Sequence, residues 1–413
     1  MSTRNLALDV ILACESEKAD VVLVSRDIAD RATLSLRSST WQSDSRTLQN
    51  NVSHSHKKSP SLAALNFCLA FGSSGLSVWE SEDLKLNPNR PRKAGHGGFA
   101  VVEIGKTPEK RPIVVKKSLR LDRPNFSHQS DEFTKHFNQL CLELRILTHS
   151  PIRNHANIVD ILGVCAEDYS GEPSLSLVLE YAPFGTLETF FTNAQAGDHN
   201  EIMRCALQVT NGLEVLHSSR ICHGDVKTRN VLVFLEEGKW VYKVSDFGNS
   251  VVSAVADDIE GEVSIPPGTP LYNAPEIRGA SFGGNSTFTI ADALLTDVFS
   301  FGLLAWEILR RGKSFYDKSW DTGRAEGLER QDRVDVLGRL SHNELLNRGL
   351  AFVTDQDLPS GVKECFAFVL QGTLQDSPKD RSTMRILAMR LSDALEYVEL
   401  VRRCEGSTNL EPG

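Results

Sequence analysis

The chain has 413 residues, of which 45 are Lys or Arg and 54 are Asp or Glu, for a net charge of −9. That acidic balance argues against a dedicated nucleic-acid binder. A hydrophobic fraction of 40% and a charged fraction of 24% exclude wholesale disorder and a multi-span membrane protein. The 8 cysteines are scattered without a Cys-x-x-Cys pair, which disfavours a zinc site or a disulfide scaffold and favours a reducing compartment.

Residues 1–85 read as a partly disordered N-terminal extension. Leu6–Ala13 is apolar but broken by Asp9, and no small-residue cleavage site follows, so it is a poor signal peptide. Leu6–Val24 fits a helix followed by a short strand. Residues 36–60 are rich in Ser, Asn, His and charge, and read as a mobile linker. The uncharged stretch 61–79 has a dense apolar part only from Leu62 to Phe71, too short to span a bilayer. It reads as a short buried or amphipathic helix, and no stable membrane insertion is expected.

From about residue 93 short β-branched runs appear at 99–104, 112–117 and 176–181, with a long amphipathic stretch at 131–149 between the second and third. After residue 185 helical patterns dominate, with strand candidates at 231–234 and 241–246. This order predicts an α+β protein with a small β-rich lobe and a larger α-helical lobe. No internal repeat is present.

Gly95, Gly97 and Gly98 precede the run FAVVEI. Glycines let backbone amides come close to a phosphate. A plain hairpin turn would use the same residues, whereas a dinucleotide-binding turn would need a helix next, and here a strand follows. Lys116 ends the run IVVKK, and Glu143 lies on the helical pattern of Leu140, Leu144 and Leu147. A strand lysine facing a helix glutamate would fix where the amine points; separately, each would be a solvated surface residue. Lys117 is the register alternative. HGDVKTRN then places Asp225, Lys227 and Asn230 in one short loop, and VSDFG places Asp246 after a second strand. Hard carboxylate and amide oxygens suit Mg²⁺, and Asp225 and Lys227 put a base and a cation on one side of an extended loop.

This ordered set resembles the eukaryotic protein kinase family, serine/threonine type, over about residues 88–400. ILGVC, LEYAPFGTLETFF and WEIL are similar to the tyrosine-kinase-like branch. The resemblance implies a two-lobed kinase fold, with one helix in the N-lobe, over 86–401 and a disordered tail at 402–413. It implies ATP and Mg²⁺ as cofactors and proteins as substrates. Gly95, Gly97, Gly98 and Val102 would cover the ATP phosphates. Lys116 would contact the α- and β-phosphates, with Glu143 as its partner. Leu179 would be the gatekeeper, and Glu180 to Ala182 the hinge that binds adenine through backbone groups. Val102, Val114 and Leu232 would sandwich adenine. Asp225 would be the catalytic base, Lys227 its neighbour at the γ-phosphate, and Asn230 and Asp246 the metal ligands. Arg381 would pair with Glu276. Leu147, Ile161, His223 and Phe247 would form a hydrophobic spine, although ordinary core packing asks for the same residue types.

Three departures stand out. Ala100 replaces the third glycine of the loop, GASFGGNSTF reads as an insertion, and Gly224 stands where an arginine often answers an activation-loop phosphate. The expected function is ATP-dependent phosphorylation of Ser and Thr hydroxyls in proteins, in the cytoplasm or nucleus, as part of signal transduction. The alternatives are a catalytically weak scaffold that binds ATP and partners, a small-molecule kinase, and a dual-specificity kinase. Lys227 and Thr269 are typical of the Ser/Thr type.

Overall fold

The structure is a computed structural model that describes residues 76–80, 82–86, 92–93, 100–118, 131–169, 172–193, 198–252, 262–266, 268–280, 288–316, 336–338, 340 and 343–408. The elements expected at Leu6–Val24, 36–60 and Leu62–Phe71 lie outside these residues, as do Gly95, Gly97 and Gly98. The chain divides into two compact units, the first ending at Thr148 and resuming over Ile161–Leu179, the second made of His149–Asp160 and the chain from Glu180 onward.

The first unit carries a sheet of six strands: β1 (Ser77–Glu80), β2 (Arg92–Lys93), β3 (Ala100–Lys106), β4 (Pro112–Ser118), β5 (Ile161–Tyr169) and β6 (Glu172–Glu180), in the order β1-β5-β6-β4-β3-β2. The β-branched runs favour strands because their side chains pack on a pleated surface. β1 pairs with β5 in parallel, whereas the described pairings β2–β3, β3–β4 and β5–β6 are antiparallel. β1 fits because Gly163 has no side chain: a Cβ there would lie 2.3 Å from the Ser77 carbonyl oxygen. Leu84, just beyond β1, is buried with Ile113, Val115, Cys165 and Val178. Lys85 and Lys106 exchange two backbone hydrogen bonds of 3.0 and 3.2 Å. Residues 77–80 and 82–85, expected in the extension, are therefore packed into this unit. Helix α1 (Asp131–Thr148) buries Leu140, Leu144 and Leu147, the spacing of one helical face.

The second unit is mainly helical: α2 (Leu187–Asn193), α3 (His199–Ser218), α4 (Pro275–Ala280), α5 (Ile290–Leu309), α6 (Glu344–Asp355), α7 (Ser360–Thr373) and α8 (Met384–Thr408). α5 is apolar nearly all round and almost wholly buried, as expected of a central helix. Its N-cap Thr289 accepts the Asp292 N–H, and Asp198 caps α3 through the Glu201 N–H. Short strands β7 (Ile221–Cys222), β8 (Val231–Glu236), β9 (Lys239–Val244) and β10 (Val251–Val252) form two small ladders, β7–β10 and β8–β9. The β8–β9 hairpin turns through Glu237 and Gly238, both at positive φ, the backbone a two-residue turn needs. α8 runs through Thr408, past the tail boundary expected at 401. Of the segment read as an insertion, 281–287 lies outside the described residues.

Arg381 ties this unit together. Its side chain is fully buried, and its two Nη atoms donate to the two carboxylate oxygens of Glu276 at 2.7 and 2.8 Å. The pairing is bidentate, the strong geometry for guanidinium and carboxylate.

Candidate active site

In the first unit β4 and α1 bring Lys116 and Glu143 together. Lys116 Nζ lies 2.6 Å from Glu143 Oε2, with the glutamate almost fully buried. Lys117 instead pairs with Glu103 across β3–β4 at 3.1 Å. Of the two adjacent lysines, Lys116 is thus the one paired with the helix acid. Val102 and Val114 sit half-buried on β3 and β4, and Leu179 is buried near the end of β6.

In the second unit the loop between β7 and β8 carries Asp225, Lys227 and Asn230. Buried Asp297 of α5 fixes that loop from beneath. Its Oδ2 accepts the His223 N–H at 2.6 Å and its Oδ1 accepts the Gly224 N–H at 2.9 Å. His217 Nε2 lies 3.0 Å from the same carboxylate. Burial pushes the Asp297 carboxyl up, but the histidines and amides outweigh it, and it is held below its ordinary range.

The Asp225 carboxylate is surrounded by donors. Oδ1 accepts the Thr269 N–H at 2.9 Å and the Thr269 hydroxyl at 2.7 Å. Oδ2 accepts Lys227 Nζ at 2.5 Å and Asn230 Nδ2 at 3.2 Å. Lys227 also donates to the Thr269 hydroxyl at 2.7 Å. Four donors from three residues therefore converge on one carboxylate, two of the residues from the same loop and one from 44 residues along the chain. In the sequence Thr269 marks only the Ser/Thr type; its contact with Asp225, across a separation of 44 residues, has no local signal.

Asn230 and Asp246 flank one end of the β8–β9 ladder, where Val231 faces Val244. Ser245 N–H donates to the Asn230 carbonyl at 2.8 Å, which holds the two positions side by side. Asp246 has φ +69, a conformation few non-glycine residues adopt and one often found at functional sites. Asn230 Nδ2 also donates to the Asp225 carbonyl at 2.8 Å, which leaves Oδ1 as the acceptor atom of that side chain. An amide oxygen and a carboxylate suit a hard divalent ion whose other ligands are phosphates and water. Among the described residues no group of three or more His, Cys, Asp or Glu side chains could hold a metal by itself.

Phe247 and His223 are fully buried with ring centroids 5.4 Å apart. Leu147 and Ile161 are buried as well. Glu180 and Ala182 stand where the chain enters the second unit, and Leu232 lies half-buried on β8, bridged to Thr186. Gly224 has φ +74, and a Cβ there would lie 2.4 Å from the Asn249 carbonyl oxygen. The spot an arginine side chain would leave from is therefore closed by backbone. Arg229 is committed to Glu188 at 2.8 Å and Lys243 to Glu180 at 3.0 Å.

Comparison with known proteins agrees with this arrangement. The sequence matches the family described as "Protein kinase domain" over residues 89–391, well over half of the chain. It is 26% identical over 350 residues to "Rust resistance kinase Lr10" of Triticum aestivum, covering 81% of this chain and 48% of that protein. It is 29% identical over 222 residues to "Probable serine/threonine-protein kinase PBL25" of Arabidopsis thaliana, covering 52% and 50%. It is 30% identical over 236 residues to "Probable LRR receptor-like serine/threonine-protein kinase PAM74" of the same plant, covering 55% and 23%. The chain thus spans about half, or less, of the length of these relatives. Among the described residues no helix is long and apolar enough to cross a membrane.

Proposed function

We propose that this chain, which belongs to the protein kinase family, transfers the γ-phosphoryl group of ATP to serine and threonine hydroxyls of proteins. The observation that carries the proposal is the convergence of Lys227, Asn230 and Thr269 on Asp225. Phosphoryl transfer needs mainly positioning and charge neutralisation, and this cluster is built from such groups.

In the proposed reaction the substrate hydroxyl oxygen attacks the γ-phosphorus, its proton passes to Asp225, and the bond from the γ-phosphorus to the bridging oxygen breaks to leave ADP. Thr269 holds Oδ1 of Asp225 through both its N–H and its hydroxyl. A substrate hydroxyl must therefore take over the place of the Thr269 hydroxyl. Lys227 is placed to stay with Asp225 and meet the charge on the transferred group. Such a base contributes roughly 10²–10⁴ in rate. Lys116, held by Glu143, would bind the α- and β-phosphates, and Gly95, Gly97, Gly98 and Val102 would cover them. Val114, Leu179, Glu180, Ala182 and Leu232 would receive adenine. Asn230 and Asp246 would hold Mg²⁺, which when bound neutralises phosphate charge.

A signalling role in a reducing, cytoplasmic compartment fits the buried thiols of Cys205, Cys222 and Cys365. The test is to incubate the purified chain with Mg·ATP labelled at the γ-phosphate and a generic acceptor protein, then identify the phosphoamino acids. Phosphoserine and phosphothreonine are expected, and Asp225→Asn should lose them. ATP binding without transfer would favour the scaffold reading, and phosphotyrosine would make the enzyme dual-specific.

A further inference from the structure

The chain leaves the second unit after Asp160 and re-enters it at Glu180. The two crossing points are bonded to each other twice. The Glu180 N–H donates to the Asp160 carbonyl at 3.1 Å, and the Asp160 N–H donates to Glu180 Oε1 at 2.8 Å. The same carboxylate is gripped by Lys243 of β9, whose Nζ lies 3.0 Å from Oε1 and 3.1 Å from Oε2. Lys243 is 7% exposed and Glu180 11%. The ammonium also sits 4.7 Å from the Phe234 ring centroid, in cation–π range, and 3.4 Å from the exposed Glu236 carboxylate.

A lysine inside a strand run is ordinarily solvated at its tip, and burying an ion pair is costly. Replacing a buried pair with apolar residues is often neutral or stabilising, so stability alone does not account for this arrangement. An apolar pair cannot, however, anchor the backbone of Asp160 and the carboxylate of Glu180 at once. Burial pushes the Glu180 carboxyl up, while the Asp160 N–H and Lys243 work against it. Burial draws Lys243 down, but the Glu180 charge outweighs it and the ammonium ends above its ordinary value. With its amide and its carboxylate both tied, Glu180 has few ways to turn.

We propose that Lys243 is a positioning residue for nucleotide binding, a clasp that fixes the Glu180–Ala182 backbone through Glu180 and thereby sets the affinity for the adenine base. This inference rests on the ATP-dependent reading above. Lys243 touches neither phosphate nor substrate in this scheme, so its effect belongs in binding of the base and not in the chemical step.

The experiment compares wild type, Lys243→Met, Lys243→Arg and the double variant Lys243→Met with Glu180→Gln. KM for ATP, kcat, inhibition by adenosine and inhibition by tripolyphosphate are measured for each. KM should rise at least about fivefold in Lys243→Met and in the double variant. Inhibition by adenosine should weaken in parallel, and inhibition by tripolyphosphate should stay within about twofold. Lys243→Arg should restore most of the affinity for adenosine. If Lys243→Met does not fold, the double variant, which leaves no lone buried charge, gives the same reading. Adenosine and ATP affinities within twofold of wild type in the double variant would overturn the proposal, whatever happens to the melting temperature. Equal loss of adenosine and tripolyphosphate affinity would overturn it too, because that is the mark of general loosening. A wild type that binds neither ATP nor adenosine would instead refute the underlying ATP-dependent reading.

Discussion

Lys116 and Glu143 form a 2.6 Å ion pair between a strand and a helix, with the glutamate buried and the lysine only slightly exposed. The neighbouring Lys117 makes a more exposed pair with Glu103. Two adjacent lysines in one strand thus have different fates, set by which face each side chain leaves.

The first prediction follows from that difference. Lys116→Met should reduce phosphotransfer by at least about a hundredfold, since a preorganised electrostatic contact to the α- and β-phosphates is worth several kcal/mol. Lys117→Met should stay within about threefold of wild type, as expected of a surface pair. Steady-state kinetics on both variants checks this, and a reversed ranking would move the nucleotide contact to Lys117.

A second prediction concerns pH. Glu307 on α5 is buried, accepts a hydrogen bond from the Tyr272 hydroxyl, and accepts the Phe315 N–H at 3.3 Å. Burial pushes its carboxyl up to about 7, against the pull of Tyr272 and Phe315. The folded chain then holds a proton that the unfolded chain releases between about pH 4.5 and 7. The contribution of Glu307 to stability must fall as pH rises through that window, in total by on the order of 3 kcal/mol. Glu307→Gln cannot titrate, so the stability of wild type relative to this variant should decline from pH 5 to pH 8 in urea melts. A flat difference would remove the raised carboxyl from the account.

The third prediction is regulatory. Gly224 offers no cation to an activation-loop phosphate, and the two basic groups that might have replaced one, Lys243 and Arg229, are paired elsewhere. Ser250 is buried and donates to the His223 carbonyl at 3.2 Å, so it is a poor acceptor of phosphate. Ser264 is exposed, and Ser253 lies outside the described residues. Phosphatase treatment and the double variant Ser253→Ala with Ser264→Ala should each leave activity within about tenfold of untreated wild type, roughly 1.4 kcal/mol of barrier. A larger loss in either would show that loop phosphorylation matters and that some other cation answers it.

A fourth prediction concerns β1 and Leu84. On composition alone a chain beginning near Ser81 should be as good as the full one. With β1 paired to β5 and Leu84 in the core, a chain beginning at Leu76 should keep wild-type stability, and one beginning at Ser81 should melt lower. Leu84→Ala in the full chain should cost about 2–5 kcal/mol, the range for emptying a buried leucine site. Equal melting of all three with wild type would return this segment to the extension.

What could be read in the sequence, and what could not, divides along physical lines. Arg381 and Glu276, Asp225 and Lys227, and the helix bearing Glu143 were legible because each sits in a local pattern or an ordered motif. β1 was not, since Ser77–Trp79 close the uncharged stretch read as a short helix, and the strand's place depends on the lack of a side chain at Gly163, far along the chain. Lys243 was not recognised as a partner of Glu180 either. VYKV reads as a strand with a solvated lysine, and nothing in the spacing says that a carboxylate 63 residues earlier waits for it. The grip of Asp297 on the loop is of the same kind: its burial depends on α5 being enclosed, a property of packing and not of pattern.

That grip joins the chemistry of the loop to the interior of the helical unit. The backbone just before Asp225 hangs on the carboxylate of Asp297 through two amides, and Asp297 belongs to the most enclosed of the described helices. The loop cannot loosen while that helix stays in place, and it cannot hold its shape once the helix leaves. Heat should therefore extinguish turnover and the cooperative melting of this unit at a common temperature, with no folded but inert species in between.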